Sequence, residues 1–564
     1  MEKNAIIAAV LSMAILIGWQ MFVIQPMQQE GGKKRQERKA REESTRIKTR
    51  PATPALSQPL PGAALPTQVP SPTKGVVPPA EVPAEEERRV RVDVGSAVYE
   101  FTNRGAGLVS ALLLRHPENI CKPSLLFSQK CVKGKPLELV VGGDPTIRPF
   151  FFAGGDAASE LNRSVFRIEG RDLALTPSNP EGTLRFVYDG KNGKAAEKTF
   201  TFRHDSYKIG LRLRVERPSD PKPIGVIWGP RLGGSSSSSY GGVKEGPMSM
   251  AGKELFYDYP TAEEPVIHGE DLSWTALQTK YFIAAFVPRA GAAGSETSLL
   301  REGKTENDYE VAVPLQGKAE AEFDVFIGPK EPGRMAKLDV GLENSLDYGY
   351  FSFVSLPLMW TLRVIHSVFG NWGVSIVLLT FLIKILFYPL TRVSMKNMKE
   401  MSKLQPRMTQ IREIYKDDKQ KMNEAVMALY RENKVNPAMG CLPMVIQIPV
   451  FFGLYNALLV SIELRQAPFF GWITDLSVQD PFHVFTILMG ASMFLQQKMT
   501  PTTGDPAQAK MMMMMPIMFT GMFVYFPVPS GLVIYWFVNN ALSIIQQYFV
   551  NRSVAPPKLA EEGQ

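Results

Sequence analysis

Residues 373–391 read GVSIVLLTFLIKILFYPLT, an apolar helical run interrupted by a single cation, Lys384. About 20 apolar residues are needed for a helix to cross a bilayer, and this run with its flanks meets that length. A charge inside such a helix is costly and usually faces protein interior or a wet cavity. Thr380, Lys384 and Tyr388 are spaced by four, so one continuous helix would carry them on one face. The bland alternative is snorkelling, because Lys384 lies eight residues before Arg392, roughly 12 Å along a helix.

Outward from this run, further apolar segments occur at residues 441–461, 481–498, 511–527 and 530–550. With 372–391 they form a five-span core, and residues 5–24 add an uncleaved anchor, giving six spans. Between residues 392 and 440 there are eleven Lys and Arg against six acids, whereas residues 462–480 contain one basic residue, Arg465. Positive charge marks cytoplasmic loops, so residues 392–440 and both termini are expected in the cytoplasm. The basic run at 33–41 would by itself reverse the first helix, but the later spans fix the parity together.

The mean hydropathy of -0.07 averages two unlike halves. Residues 25–87 are basic and then Pro-rich, a composition suited to an extended linker. Residues 88–345 alternate in short runs such as RVRVDVGSAVYEFTN (89–103), KTFTFRHDSYKIGLRLRVE (198–216) and KAEAEFDVFIG (318–328). Period-two alternation without intervening helices predicts an antiparallel β-sandwich lying outside the cytoplasm, with GGSSSSSYGG (233–242) as a loop. Residues 346–369 place Pro357, Arg363 and His366 among aromatic residues, the pattern of an amphipathic helix in the membrane interface. Residues 553–564 form a tail.

Enzymatic signatures are missing. Cys121, Cys131 and Cys441 lack paired metal-ligand spacing, and the five His are scattered singly. In an oxidising compartment Cys121 and Cys131 could close a small disulfide loop; two separate thiols are the alternative. GKT at 303–305 has Ser298 where a phosphate-binding loop requires Gly. No catalytic activity, metal or cofactor is expected, and no DNA partner.

Other polar residues support the Lys384 stripe. Tyr535, Asn539 and Ser543 are spaced by four in the last helix, and Gln447, Asn456, Gln496 and Thr520 add polar groups in others. Ordinary interhelical hydrogen bonding is the competing reading for each. Five consecutive Met (511–515) with Met489, Met493, Met518 and Met522 in the same two helices suit varied apolar partners or plain lipid contact. Residues 394–434 carry apolar positions at spacings of three and four on both sides of Asp417 and Asp418, predicting a basic helical hairpin. Its Lys396, Lys399, Lys403, Arg407 and Arg412 are candidates for meeting a ribosome, a targeting receptor, a client or anionic lipid.

The carboxyl-terminal third resembles the YidC insertase family. The matching stretches are GNWGVSIVLLTFLIKILFYPLT (370–391), the hairpin and following helix at 404–458, ELRQAPFFGWITDLSVQDPF (463–482), QQKMTPTT (496–503) and FPVPSGLVIYWFVNNALSIIQQ (526–547). The resemblance implies a polytopic helical bundle with an all-β periplasmic domain, a β-super-sandwich like that of sugar mutarotases. It also implies an inner-membrane insertase and chaperone serving nascent membrane proteins, with and without the Sec translocon, through a hydrophilic groove. The family's groove cation, usually Arg, falls on Lys384, and its substrate-contacting positions fall on Thr380 and on Trp536, where some members have Tyr. A solute transporter or channel, and an envelope carbohydrate enzyme, are the rival readings; a transporter would favour an inverted repeat, which is not visible.

Overall fold

The computed structural model describes residues 86–553 apart from 125–127, 143–146, 191–194, 217–223, 235–243, 259–265, 269–270, 290–296, 302–308, 316–319, 437 and 501–505. The expected anchor at 5–24, nearly all of the linker and of the loop at 233–242, and the tail beyond residue 553 lie outside the described residues.

The alternating segments form the β domain. A nine-stranded sheet runs, in spatial order, through residues 254–257, 246–251, 272–278, 282–288, 320–329, 208–216, 195–203, 181–189 and 167–169. Two five-stranded sheets and a two-strand ribbon accompany it. The pairings are antiparallel except that Arg89–Asp93 lies parallel to Leu173–Ala174. Alternation does its work in Ala195–Arg203, where Ala196, Lys198, Phe200 and Phe202 point inward. Phe200 packs tilted or edge-on against Phe101, Phe150 and Phe186 at centroid distances of 4.7, 5.2 and 5.9 Å. Each such ring buried contributes about 1.5–3 kcal/mol.

Lys198 breaks the apolar rule. It is fully buried, and its ammonium donates to the Phe150 carbonyl at 2.5 Å and the Gly105 carbonyl at 2.7 Å while lying 4.0 Å from the Phe152 ring centroid. Burial pushes its pKa well below the ordinary lysine value.

Strands Leu108–Pro123 and Gln129–Glu138 pair into a long antiparallel arm. Cys121 and Cys131 stand opposite each other near its tip and are joined by a disulfide. Of the two readings open in the sequence, the bonded one holds.

The chain then turns helical: α1 (Ser352–Phe369), α2 (Trp372–Leu386), α3 (Tyr388–Lys403), α4 (Gln405–Ile414), α5 (Lys419–Glu432), α6 (Ala438–Val460), α7 (Val484–Met499), α8 (Pro506–Tyr525) and α9 (Ser530–Ser553). Helix α9 packs against α2, α6 and α7, while α1 packs against α2 and α6. Gly490 makes the α7–α8 approach possible, because a Cβ there would fall 1.9 Å from the Thr520 hydroxyl.

Two features depart from the sequence reading. Residues 372–391 are not one helix: α2 ends at Leu386, Phe387 is non-helical, and α3 leaves at 63°. Pro389 explains the break, since in a continuous helix it would lack the N–H owed to the Ile385 carbonyl and its ring would clash there. Among the described residues, α1 is the one unbroken helix with the length and hydropathy of a crossing, 18 residues at mean hydropathy 1.3. The α2–α3 pair meets that measure together, and Val445–Val460 and Met511–Tyr525 are shorter apolar helices.

Candidate functional site: a cation between two helices

Helix α2 begins on an Asn cap. The Asn371 side chain accepts from the Val374 amide at 3.0 Å, satisfying one of the free donors of the first turn. Three turns later Lys384 projects toward α9, where its ammonium donates to Ser543 Oγ at 2.7 Å. The Ser543 hydroxyl donates in turn to the Asn539 carbonyl at 2.8 Å, so the serine passes the interaction on to the α9 backbone. Thr380 sits one turn before Lys384, fully buried, with its hydroxyl bonded to the Ile376 carbonyl at 2.7 Å.

The neighbouring candidates divide. Asn539 and Tyr535 are buried on α9, with the Gln447 amide of α6 beside the Tyr535 hydroxyl. Trp536 is half-buried in an aromatic cluster, its ring 4.8 Å from Phe451, 5.4 Å from Phe523 and 6.2 Å from Phe519. Tyr388 does not share the face of Thr380 and Lys384, as the spacing of four implied, because the bend at Phe387 places it in the first turn of α3, where it is 45 % exposed. Lys384, Thr380, Tyr535, Asn539 and Gln447 therefore belong to a polar seam that runs along α9 between α2 and α6. On its other side, Asn540 donates to Ser492 Oγ of α7 at 3.3 Å and Gln547 to the Met499 carbonyl at 2.8 Å.

The hairpin forms as its periodicity requires. Met401, Leu404, Met408, Leu429 and Tyr430 make a small core, with Ile411 and Val426 packed against it. The Asp418 carboxylate caps α5 by accepting from the Gln420 and Lys421 amides at 3.1 and 3.0 Å. Of the basic candidates Lys396, Lys403 and Arg407 are exposed, Lys399 and Arg412 half-buried. Lys403 pairs with Glu400 at 3.1 Å.

An exposed apolar band surrounds the bundle. On α1, Phe353, Leu356, Trp360, Val364 and Val368 recur at spacings of three and four and all face outward. On α8, Met511–Met515, Met518 and Met522 are likewise exposed.

Sequence reasoning missed the docking of the arm onto residues 462–483. Gln466 donates to the Pro117 and Glu118 carbonyls at 2.9 and 3.1 Å and to the Asn119 side chain. Arg465 donates to the Pro117 carbonyl at 2.7 Å, Asn119 to Asp475 at 3.2 Å, and Thr474 to the Cys131 carbonyl at 3.2 Å. Ser124 and Ser128 both donate to the Pro481 carbonyl, at 2.9 and 2.8 Å. Behind this contact Arg363 of α1 holds Glu463, with Nη2 at 2.9 Å from Oε1.

Residues 364–557 match the family model described as 60Kd inner membrane protein, and residues 89–361 match that of the YidC periplasmic domain. A membrane protein insertase YidC of Syntrophus aciditrophicus (strain SB) is 38 % identical over 98 % of this chain and 100 % of its own length. This chain belongs to the YidC family. A YidC insertase of Geobacter sp. (strain M21) is 40 % identical over 70 % of this chain and 77 % of the relative. A solved structure described as an active YidC insertase with its first transmembrane domain resolved aligns over 83 % of this chain and 93 % of its own, at 19 % identity and a TM-score of 0.36. As a YidC-family member the chain is an inner-membrane protein with a β-rich periplasmic domain and a helical carboxyl-terminal region.

Proposed function

We propose that this YidC-family chain inserts nascent membrane proteins into the bilayer and helps them fold, with and without the Sec translocon, and that Lys384 is its working charge. The observation that carries this is the hydrogen bond of the half-buried Lys384 ammonium to Ser543 of α9, which holds the charge between two helices. A cation held there attracts the acidic, hydrated part of a client's extracytoplasmic segment into a groove open to cytoplasm and lipid, lowering the cost of moving it into lipid. The apolar part of the client then leaves along exposed side chains such as the α8 methionines, and hydrophobic transfer drives the step without nucleotide or catalysis.

In this reading the chain crosses the membrane six times, with both termini cytoplasmic. Helix α1 lies in the periplasmic interface, with Phe353 and Trp360 in the acyl region and Arg363 turned to Glu463. The end of α3 and the α4–α5 hairpin face the cytoplasm, where Lys396 and Lys403 of α3 and Arg407 of α4 meet a ribosome, a targeting receptor or anionic lipid.

Replacing Lys384 by Gln in a cell's sole copy tests the mechanism. Loss of insertion of small single-span clients, restored by Lys384→Arg, is the expected result. Unimpaired growth and insertion by the Gln variant would overturn it.

A further inference from the structure

A cavity of about 120 Å³ opens where the base of the β domain meets the helices. A water needs on the order of 10–15 Å³ of such space, so several waters or one phosphate-sized group fit. Three lysines from separate segments line it: Lys244, Lys280 and Lys330. Among the described residues none of the three ammonium groups has a carboxylate within ion-pair distance. Lys244 and Lys280 lie over the Tyr257 and Tyr281 rings, 4.2 and 4.8 Å from their centroids. Lys330, 3 % exposed, donates to the Gln278 side chain.

Asp347 also lines the cavity, but both its oxygens are engaged, accepting from the Tyr257 hydroxyl at 3.0 Å and the Gly349 amide at 2.9 Å. Glu245 nearby accepts from the Lys280 amide at 3.0 Å. Three lysines against the two carboxylates that act on Lys330, Glu245 and Asp347, leave one net positive charge at the cavity. Burial pushes the Lys330 ammonium down to about 7. An anion in the cavity would restore its charge, since a buried ion is tolerated when paired.

We propose that Lys244, Lys280 and Lys330 bind a phosphate group here, supplied by the headgroup of an anionic phospholipid. Separate ammonium point charges suit the several acceptor oxygens of a phosphate. The lipid source follows from the surroundings. Leu459 and Val460, the last residues of α6, form part of the wall, and Gly349 leads directly into Tyr350 and Phe353, 86 % and 70 % exposed. A headgroup in the cavity would lay its acyl chains along that outward-facing α1 surface. Free inorganic phosphate shares the headgroup chemistry but gains nothing from α1.

The test uses the full chain in phosphate-free detergent, titrated with short-chain phosphatidylglycerol, short-chain phosphatidylcholine or sodium phosphate while its melting temperature is followed. Phosphatidylglycerol should raise the melting temperature saturably and the other two much less. The double variant Lys244→Gln/Lys280→Gln changes only lysines that are not deeply buried, and should melt like the parent without ligand. Its apparent Kd for phosphatidylglycerol should be weaker by about 10-fold or more, the effect of losing one or two charge-assisted contacts. Lys330→Met should weaken it similarly.

Equal effects of inorganic phosphate and phosphatidylglycerol, both lost in the double variant, would support the phosphate site and make free phosphate its ligand. Equal effects of the two lipids, or a variant that binds like the parent, would overturn the proposal. The readout is binding, so failure of the insertase reading would leave it untouched.

Discussion

The Lys384 ammonium and the Ser543 hydroxyl meet at 2.7 Å although 159 residues separate them, joining α2 to α9 at the level where the polar seam begins. The serine is positioned to accept, because its own proton is committed to the Asn539 carbonyl. Ser543→Ala would leave the charge in place without its acceptor. Losing a hydrogen bond to a charged group costs about 1.5–3 kcal/mol, so the full chain in detergent should melt about 1–3 °C lower. Insertion should fall less than in Lys384→Gln, since the charge persists. An insertion defect equal to that of Lys384→Gln would mean that the pair, not the charge, is what clients require.

Gln466 grips the arm through one amide nitrogen shared among the Pro117 and Glu118 carbonyls and the Asn119 side chain. Gln466→Ala should loosen the arm at a cost of about 0.5–1.5 kcal/mol, the net worth of a hydrogen bond whose part-buried acceptors can turn to water. Hydrogen exchange should then quicken in residues 117–133 and 462–480 while the nine-stranded sheet keeps its protection. Unchanged exchange in both segments would show that the arm holds by packing alone.

The Cys121–Cys131 bond closes a loop of ten residues in sequence separation. Chain-entropy arguments give about 2–3 kcal/mol for a loop of this size. The Cys121→Ser/Cys131→Ser variant should lose that much arm stability, and a reducing agent should mimic it in the parent but have no effect on the variant.

Lys330 makes stability depend on pH. Its pKa is pushed down by burial to about 7 in the folded chain, against an ordinary value of 10.5 when unfolded. Between these values the unfolded chain binds more protons, so stability rises with pH across the window and is lost as pH falls toward 7. Lys330→Met should flatten this slope when melting is followed in phosphate-free buffer. A slope identical to the parent's would assign the dependence elsewhere.

The β strands were legible because their inward positions are apolar at period two, as in Ala195–Arg203. Lys198 was not, because three backbone carbonyls from residues 48–93 positions away make its burial tolerable. The helical region was legible from its apolar runs, and the hairpin from spacings that reappear as the Met401, Leu404, Met408 and Leu429 core. The break at Phe387 has a local signal in Pro389, but the apolar count on either side favours one uninterrupted segment. On the polar seam, spacing of four identifies a face on each helix, whereas which faces meet depends on packing. The arm leaves no local signature at all, since its partners lie some 350 residues away.

That distant contact has a practical meaning for anyone shortening the periplasmic half. Removing residues 108–138 would strip the cover from Arg465, Gln466, Asn119's partner Asp475 and the Pro481 carbonyl at one stroke. A shortened chain that retains this hairpin and one that lacks it are therefore different experiments. Only the second uncovers residues 465–481, so a growth defect seen there and not in the first reports an unshielded loop and not a missing sandwich.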